Sequence, residues 1–202
     1  MRRRLFWLTT ALIGAMGTTA MAQTVPPTRV RGTIAALTGD TLTVDSRDGQ
    51  KLEILLSDKL TVAAVKKIEL SAIAPGSYIG TATRTGPDGK LRAIEVLVFP
   101  EAMRGAGEGH YAWDLEPGSM MTNGTVKGAV TAAEGRELSI GFKDSANTVY
   151  VPPEAIIVTF TPADRADLKP GAKVVVAATK NADVKWTAAR VTVEKDGVAP
   201  PM

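Results

Sequence analysis

The chain has 202 residues, no cysteine, one histidine and a formal net charge of +3. Without cysteine there is no disulfide framework, zinc–thiolate finger, iron–sulfur cluster or lipid-modified N-terminal Cys, and one histidine cannot build a multi-His metal site within a single chain. The excess charge is Arg2, Arg3 and Arg4, so residues 23–202 hold 21 Lys+Arg (24 minus 3) against 21 Asp+Glu and are neutral.

Residues 1–22 have the three parts of a secretory signal. Arg2–Arg4 form the charged region, an apolar run extends from Leu5 to about Met16, and Ala20-Met21-Ala22 matches the A-x-A cleavage pattern. The run is shorter than the ~20 residues that span a bilayer, and no later stretch approaches 18 uninterrupted apolar residues. A periplasmic mature chain starting at Gln23 is expected, by the general or the twin-arginine route, with no transmembrane segment.

The mature sequence reads as two copies of one unit. Val30-Arg31-Gly32-Thr33-Ile34 aligns on Val126-Lys127-Gly128-Ala129-Val130, and Leu42 on Leu138, at an offset of 96. Pro75-Gly76 aligns on Pro170-Gly171, and the segment 91–98 on 186–193, at an offset of 95. A one-residue deletion is therefore expected between the third strand and the Pro-Gly turn, because a loop absorbs what a strand cannot.

In chain order, alternation over 30–36 predicts a half-buried strand, followed by short strands at 41–45 and 51–56 around the Asp48-Gly49 hairpin turn. Residues 60–73 read as an extended piece with one or two helical turns. Strands at 77–84 and 91–99 follow, with Gly86-Pro87-Asp88-Gly89 turning between them. The second copy repeats this at 125–132, 137–142, 148–151, 173–179 and 187–193. Three strands, a short helical connection and two strands is the order of an OB-type Greek-key barrel. The expected fold is all-β: two tandem five-stranded OB-like barrels, at 29–99 and 125–195. An N-terminal segment 23–28, a connector 100–124 and a tail 196–202 complete the chain. Within the barrels, Ile94, Val96 and Val98 point inward and Glu95 outward.

The V-x-G-x-I/V strand, the Pro-Gly turn and the closing x-A-x-x-V-x-V strand resemble those of a bacterial family of exported OB-like domains of unknown function. The connector from Phe99 to His110, Trp113-Asp114-Leu115, Met121-Thr122-Asn123 and the ending Pro200-Pro201-Met202 resemble a tandem-repeat proteobacterial branch of it. The resemblance implies a fold and an export route. Some relatives are labelled permeases of metal-uptake systems, a label this chain does not fit because it has no apolar span after its leader.

The connector is the non-repeated part and concentrates the unusual residues. His110 lies beside Glu108, Tyr111, Trp113, Asp114 and Glu116, and Met103, Met120 and Met121 are three of the four methionines outside the leader. Imidazole with thioethers suits Cu(I), since soft ligands select soft ions, and Trp113 could face the cation. This set looks like that of the periplasmic copper and silver chaperones, themselves small OB barrels with His, Met and Trp ligands. Glu108, His110, Asp114 and Glu116 offer a harder divalent ion a second arrangement. In the competing reading, Tyr111, Trp113 and the methionines pack between the barrels, and Arg104, Tyr111 and Trp113 contact a ligand or partner.

Catalysis has little in its favour. There is no G-x-S-x-G elbow, no H-E-x-x-H helix, and one histidine for every role that needs a base. A neutral chain with eight aromatics outside the leader does not supply the positive, stacked groove of a single-strand binder. The expectation is a non-catalytic, monomeric periplasmic binding or scaffold protein that takes an envelope protein or small ligand. It needs no cofactor and binds no nucleic acid. The alternative is a carrier of copper or a divalent ion.

Overall fold

A computed structural model describes residues 27–130, 136–181, 183 and 185–201, so the expected leader lies outside the described residues. The protein is all-β. Its strands are β1 (Thr28–Thr38), β2 (Thr41–Ser46), β3 (Lys51–Lys67), β4 (Tyr78–Thr85), β5 (Leu91–Val98) and β6 (Gly109–Ala112). They continue as β7 (Met120–Val130), β8 (Glu137–Phe142), β9 (Ser145–Tyr150), β10 (Ile156–Pro162), β11 (Lys173–Lys180) and β12 (Trp186–Val193). Among the described residues the helical segments are three 3₁₀ turns, Leu70–Ala72, Glu101–Met103 and Arg165–Asp167. No described helix is long and apolar enough to cross a membrane.

β1, β2, β3, β12 and β11 close into a five-stranded barrel, with β3 and β12 running parallel and every other pair antiparallel. Three of these strands come from the first copy and two from the second. The remaining strands pair in the complementary way: β4 with β5 and β7, β7 with β8, β8 with β9, and β9 with β5 through Leu91↔Val149 and Arg92↔Tyr150. The boundaries expected from the repeat, 29–99 and 125–195, are therefore not those of the pairing. Each copy gives its last two strands to the first three of the other, and a single twelve-stranded network results. Linear periodicity cannot reveal this, because exchanged and unexchanged strands bury the same residues.

The joint is an antiparallel pair between β10 and the second half of β3, with Phe160 opposite Val65. These residues are 95 apart, the repeat offset, so a pseudo-twofold axis passes between them. Lys67↔Val158 on one side matches Pro162↔Ala63 on the other. β3 is one long strand, whereas its counterpart is broken into β9 and β10 at Pro152-Pro153, where proline has no N–H to give the ladder.

The pairing also corrects the repeat alignment in two places. Ile34 faces Val44 on β2, and Val126 faces Ile140 on β8, with bulges at Ile34/Ala36 and Val126/Gly128. Val44 and Ile140 are equivalent at 96, so Ile34 matches Val126 at an offset of 92, and Gly32-Thr33-Ile34 matches Gly124-Thr125-Val126. Gly32 and Gly124 share a reason for lacking a side chain. A Cβ there would run into the carbonyl oxygen of Asp45 or Gly141 on the neighbouring strand. The four extra residues fall between β7 and β8, across 131–136, where the first copy has only Gly39-Asp40. The single deletion lies in the β8–β9 turn: Asp45↔Lys51 corresponds to Gly141↔Ala146, offsets of 96 and 95. A loop does absorb the change, but one hairpin earlier than expected.

Two apolar cores result. Val30, Ile34, Leu42, Val44, Ile54, Val174, Val176 and Val191 fill the closed barrel. Ile79, Val96, Val126, Leu138, Ile140, Val149 and Ile157 pack inside the second set of strands. Each fully buried side chain of this size contributes about 1.5–3 kcal/mol, and both cores draw on both copies, so neither copy supplies a complete interior.

Candidate functional site

The connector is a hairpin. β6 pairs with the start of β7, His110 against Thr122 and Tyr111 against Met121, and the loop from Trp113 to Ser119 projects over the closed barrel. There three arginines of the first copy hold it. Arg31 Nη2 lies 3.0 Å and Arg29 Nε 3.2 Å from an Asp114 carboxylate oxygen. Arg47 donates to the carbonyls of Asp114 at 2.8 Å and Leu115 at 2.7 Å. The Arg29 guanidinium sits 3.9 Å above the centroid of the Trp113 ring, within the range of a cation–π contact. Partial burial raises the Asp114 pKa, but its hydrogen bonds and the charges of Arg31 and Arg29 outweigh this and hold it below the usual carboxylate range.

Beneath this clasp, between the two sets of strands, is a cavity of about 160 Å³. Val65, Leu97, Phe99, Met121, Phe160 and Val175 make its apolar walls, and Pro200 and Pro201 of the tail help close it. Phe99 and Phe160 meet with ring centroids 6.2 Å apart. Into this lining come three polar side chains that are almost completely buried: Arg31 at 5% exposure, Asn123 at 6% and Glu95 at 8%. Arg31 Nε, Asn123 Oδ1 and Trp113 Nε1 are buried without a hydrogen-bond partner. No hydrogen bond reaches the Glu95 carboxyl among the described residues; desolvation pushes its pKa up to about 7, with the Arg31 charge only partly opposing.

The Asn123 amide is fixed in orientation by what it donates to. Its Nδ2 reaches the carbonyls of Ala106 at 3.3 Å and Gly107 at 3.1 Å and the Tyr111 hydroxyl at 3.1 Å. The acceptor Oδ1 is left on the cavity side, where a Cβ on Gly80 would meet it. Buried polar groups are hydrogen-bonded as a rule, and an orphan costs about 1–3 kcal/mol. Two such orphans, on Arg31 and Asn123, lie on walls of this apolar space.

The connector residues singled out as metal ligands are not brought together, although Tyr111 and Trp113 meet with ring centroids 6.1 Å apart. Directly opposed residues of an antiparallel pair share a face, so His110 lies with Thr122 and Met120, and Met121 lies on the other face with Tyr111 and Asn123. His110 Nδ1 is 2.8 Å from Thr122 Oγ1 and 3.1 Å from Asn147 Nδ2, and its ring stacks near Phe142. Met103 lies apart in the 3₁₀ turn, half-buried. Glu108 accepts from the Lys143 backbone N–H at 2.9 Å, Asp114 is committed to arginines, and Glu116 faces Arg84. Among the described residues no group of three or more His, Cys, Asp or Glu is placed to hold a metal. Arg104 pairs with Glu101 at 2.6 Å and donates to the Gly76 carbonyl, which ties the connector down. Of the predicted residues, Trp113 and Met121 line the cavity.

Arg31, Asn123, Glu95, Phe99 and Phe160 are the residues sequence reasoning passed over. Glu95 does point away from the apolar core packed by Val96, as alternation requires, but that outer surface faces the cavity beside the closed barrel. The usable signal in the repeat was Glu95, which stands where the second copy has Arg190; Arg31 aligned on Lys127 in sequence, and only the strand pairing sets it against Asn123. Comparison with protein-family models, curated proteins and solved structures finds no match.

Proposed function

We propose that the chain is a non-catalytic, exported binding protein built from two OB-type barrels with exchanged strands, and that its ligand site is the cavity between them. The neighbour order supports the barrel reading: within each ring the strands of the unit run first, second, third, fifth, fourth, with the third and fifth parallel. The leader pattern of residues 1–22 supports export to the periplasm, and the strand and connector motifs support kinship with the exported OB-like domains they resemble. The observation that carries the functional reading is the pair of buried, unpartnered atoms, Arg31 Nε and Asn123 Oδ1, on walls of one apolar cavity. Catalysis gains nothing from this geometry. The cavity's ionisable side chains are Arg29, Arg31 and Glu95, with no nucleophile beside a base.

Native mass spectrometry of the mature protein purified from periplasm tests the proposal. A small organic molecule retained by the wild type and lost from Leu97→Trp, which fills the cavity, is the expected result. Stoichiometric metal, or a co-purifying protein with the cavity empty, would replace this reading with a carrier or a scaffold.

A further inference from the structure

Resting on the cavity reading, we propose that the ligand is a small monocarboxylate with an apolar body about the size of a benzene ring and a hydrogen-bond donor. Each part of this description answers a feature of the walls. The charged groups are Arg29 and Arg31 against Asp114, which leaves one positive charge uncompensated. Glu95 faces the same space and holds its proton up to about neutral pH, so it does not supply the missing negative charge below that. With Arg31 Nη2 held by Asp114, the buried Nε–H is the donor left without a partner, and an anionic carboxylate oxygen completes it with a charge-assisted hydrogen bond. The indole N–H of Trp113 is a second buried donor with no partner on a wall residue.

Charge sets the upper limit. A dianion such as a phosphate monoester would overcompensate one residual positive charge and would have to be stripped of water against Phe99, Phe160, Leu97 and Val175. A cation would meet two arginines. Volume sets the body. The space is close to the roughly 150 Å³ of an apolar cavity that holds benzene. The donor is required by Asn123 Oδ1, which cannot be relieved by flipping the amide, because Nδ2 is fixed by the two carbonyls of residues 106 and 107.

Benzoate and its hydroxylated derivatives are suitable probes, with benzyl alcohol and benzylamine as the neutral and cationic comparators. Titration of the mature protein by calorimetry should show saturable binding of a hydroxybenzoate, weaker binding of benzoate and benzyl alcohol, and none of benzylamine. In the unmodified protein the ¹⁵N–¹H resonances of Arg31 Nε and Trp113 Nε1 should shift with the same titration midpoint. Arg31→Gln should weaken the acids at least about tenfold, the loss of one charged hydrogen bond, and weaken benzyl alcohol by less than it weakens the acids. The resonance shifts keep the test decisive if that variant fails to fold. Benzyl alcohol binding as tightly as the acids, with Arg31 Nε unmoved, overturns the carboxylate assignment while leaving a cavity that binds. Failure of every probe to bind overturns both this assignment and the binding reading beneath it.

Discussion

Replacing Glu95 by glutamine isolates the one buried acid of the site. The residue is 8% exposed, and burial raises its pKa from 4.5 to about 7. For an acid with a raised pKa the folded state binds more protons than the unfolded state between the two values. Stability is therefore highest below about pH 4.5, falls as pH rises to about 7, and is level beyond. The 2.5-unit difference (7 minus 4.5) at 1.36 kcal/mol per unit corresponds to about 3 kcal/mol. The charge acting on Glu95 is that of Arg31, an arginine that keeps its proton throughout this window, and Asp114, held low, ionises below it. Asp88 and Asp167, also held low, act below it as well. Urea unfolding of wild type and Glu95→Gln, followed by circular dichroism from pH 4 to 9, gives the difference directly, because all other groups cancel. The variant should gain on the wild type by about 3 kcal/mol between pH 4.5 and 8, with the slope confined to that interval. A difference that stays flat across it would show that the carboxyl is solvated, and the apolar surroundings assigned to it would have to be given up.

The repeat register is open to test at three glycines. Gly32→Ala and Gly124→Ala should each cost about 3 kcal/mol because their Cβ atoms meet backbone on the adjacent strand, whereas Gly128→Ala, with nothing within 4 Å, should stay within about 0.5 kcal/mol. Similar costs at Gly32 and Gly128, with Gly124 tolerant, would restore the sequence alignment that the pairing rejects. Asp114→Asn removes the carboxylate from a buried arginine. As Asp114 is itself 46% exposed, solvent moderates the loss to about 2 kcal/mol. In a Trp186→Phe background, Trp113 emission should move to the red as the clasp loosens; unchanged emission and stability would show that the loop holds without it.

How far the sequence speaks for this fold depends on which face of a strand is asked. Inward positions were legible at Val30, Ile34, Leu42, Val44 and Val96, which are buried, but not at Ile94, because a bulge in β5 skips it and puts Ala93 into the core instead. The Pro-Gly turns were legible too, and Gly76 and Gly171 both adopt a φ of 88°. The exchange of strands was not. It turns on whether the segments after β3 and β10 fold back or cross over, and neither choice changes the pattern of buried residues. The V-x-G-x-V motif misled for a related reason: several stretches of an alternating strand satisfy it, and only the contact of Gly124 with Gly141 decides among them. The connector drew attention through its composition, yet composition does not report face. β7 separates Met120 from Met121, and the ionisable residues around His110 are held by Lys143, Arg31 and Arg84.

The equivalent positions of the two copies divide by face. Inside, Ile34 matches Val126, Leu42 matches Leu138, Ile54 matches Val149 and Val191 matches Val96, all apolar because a closed core tolerates little else. Among the residues that line the cavity, Arg31 stands where the other copy has Asn123, Arg29 where it has Met121, Glu95 where it has Arg190 and Phe99 where it has Glu194, while Val65 and Phe160 are both apolar. A site assembled from such positions belongs to neither unit alone; it exists because the copies diverged where packing left them free. Making the two walls alike with Arg31→Asn should leave both cores folded. It should also remove the charge that opposes desolvation at Glu95, so the midpoint of its pH dependence moves above about 7. The ¹³C carboxyl shift of Glu95 reads that midpoint directly, and a midpoint that stays in place would mean that Arg31 and Glu95 do not share one low-dielectric space.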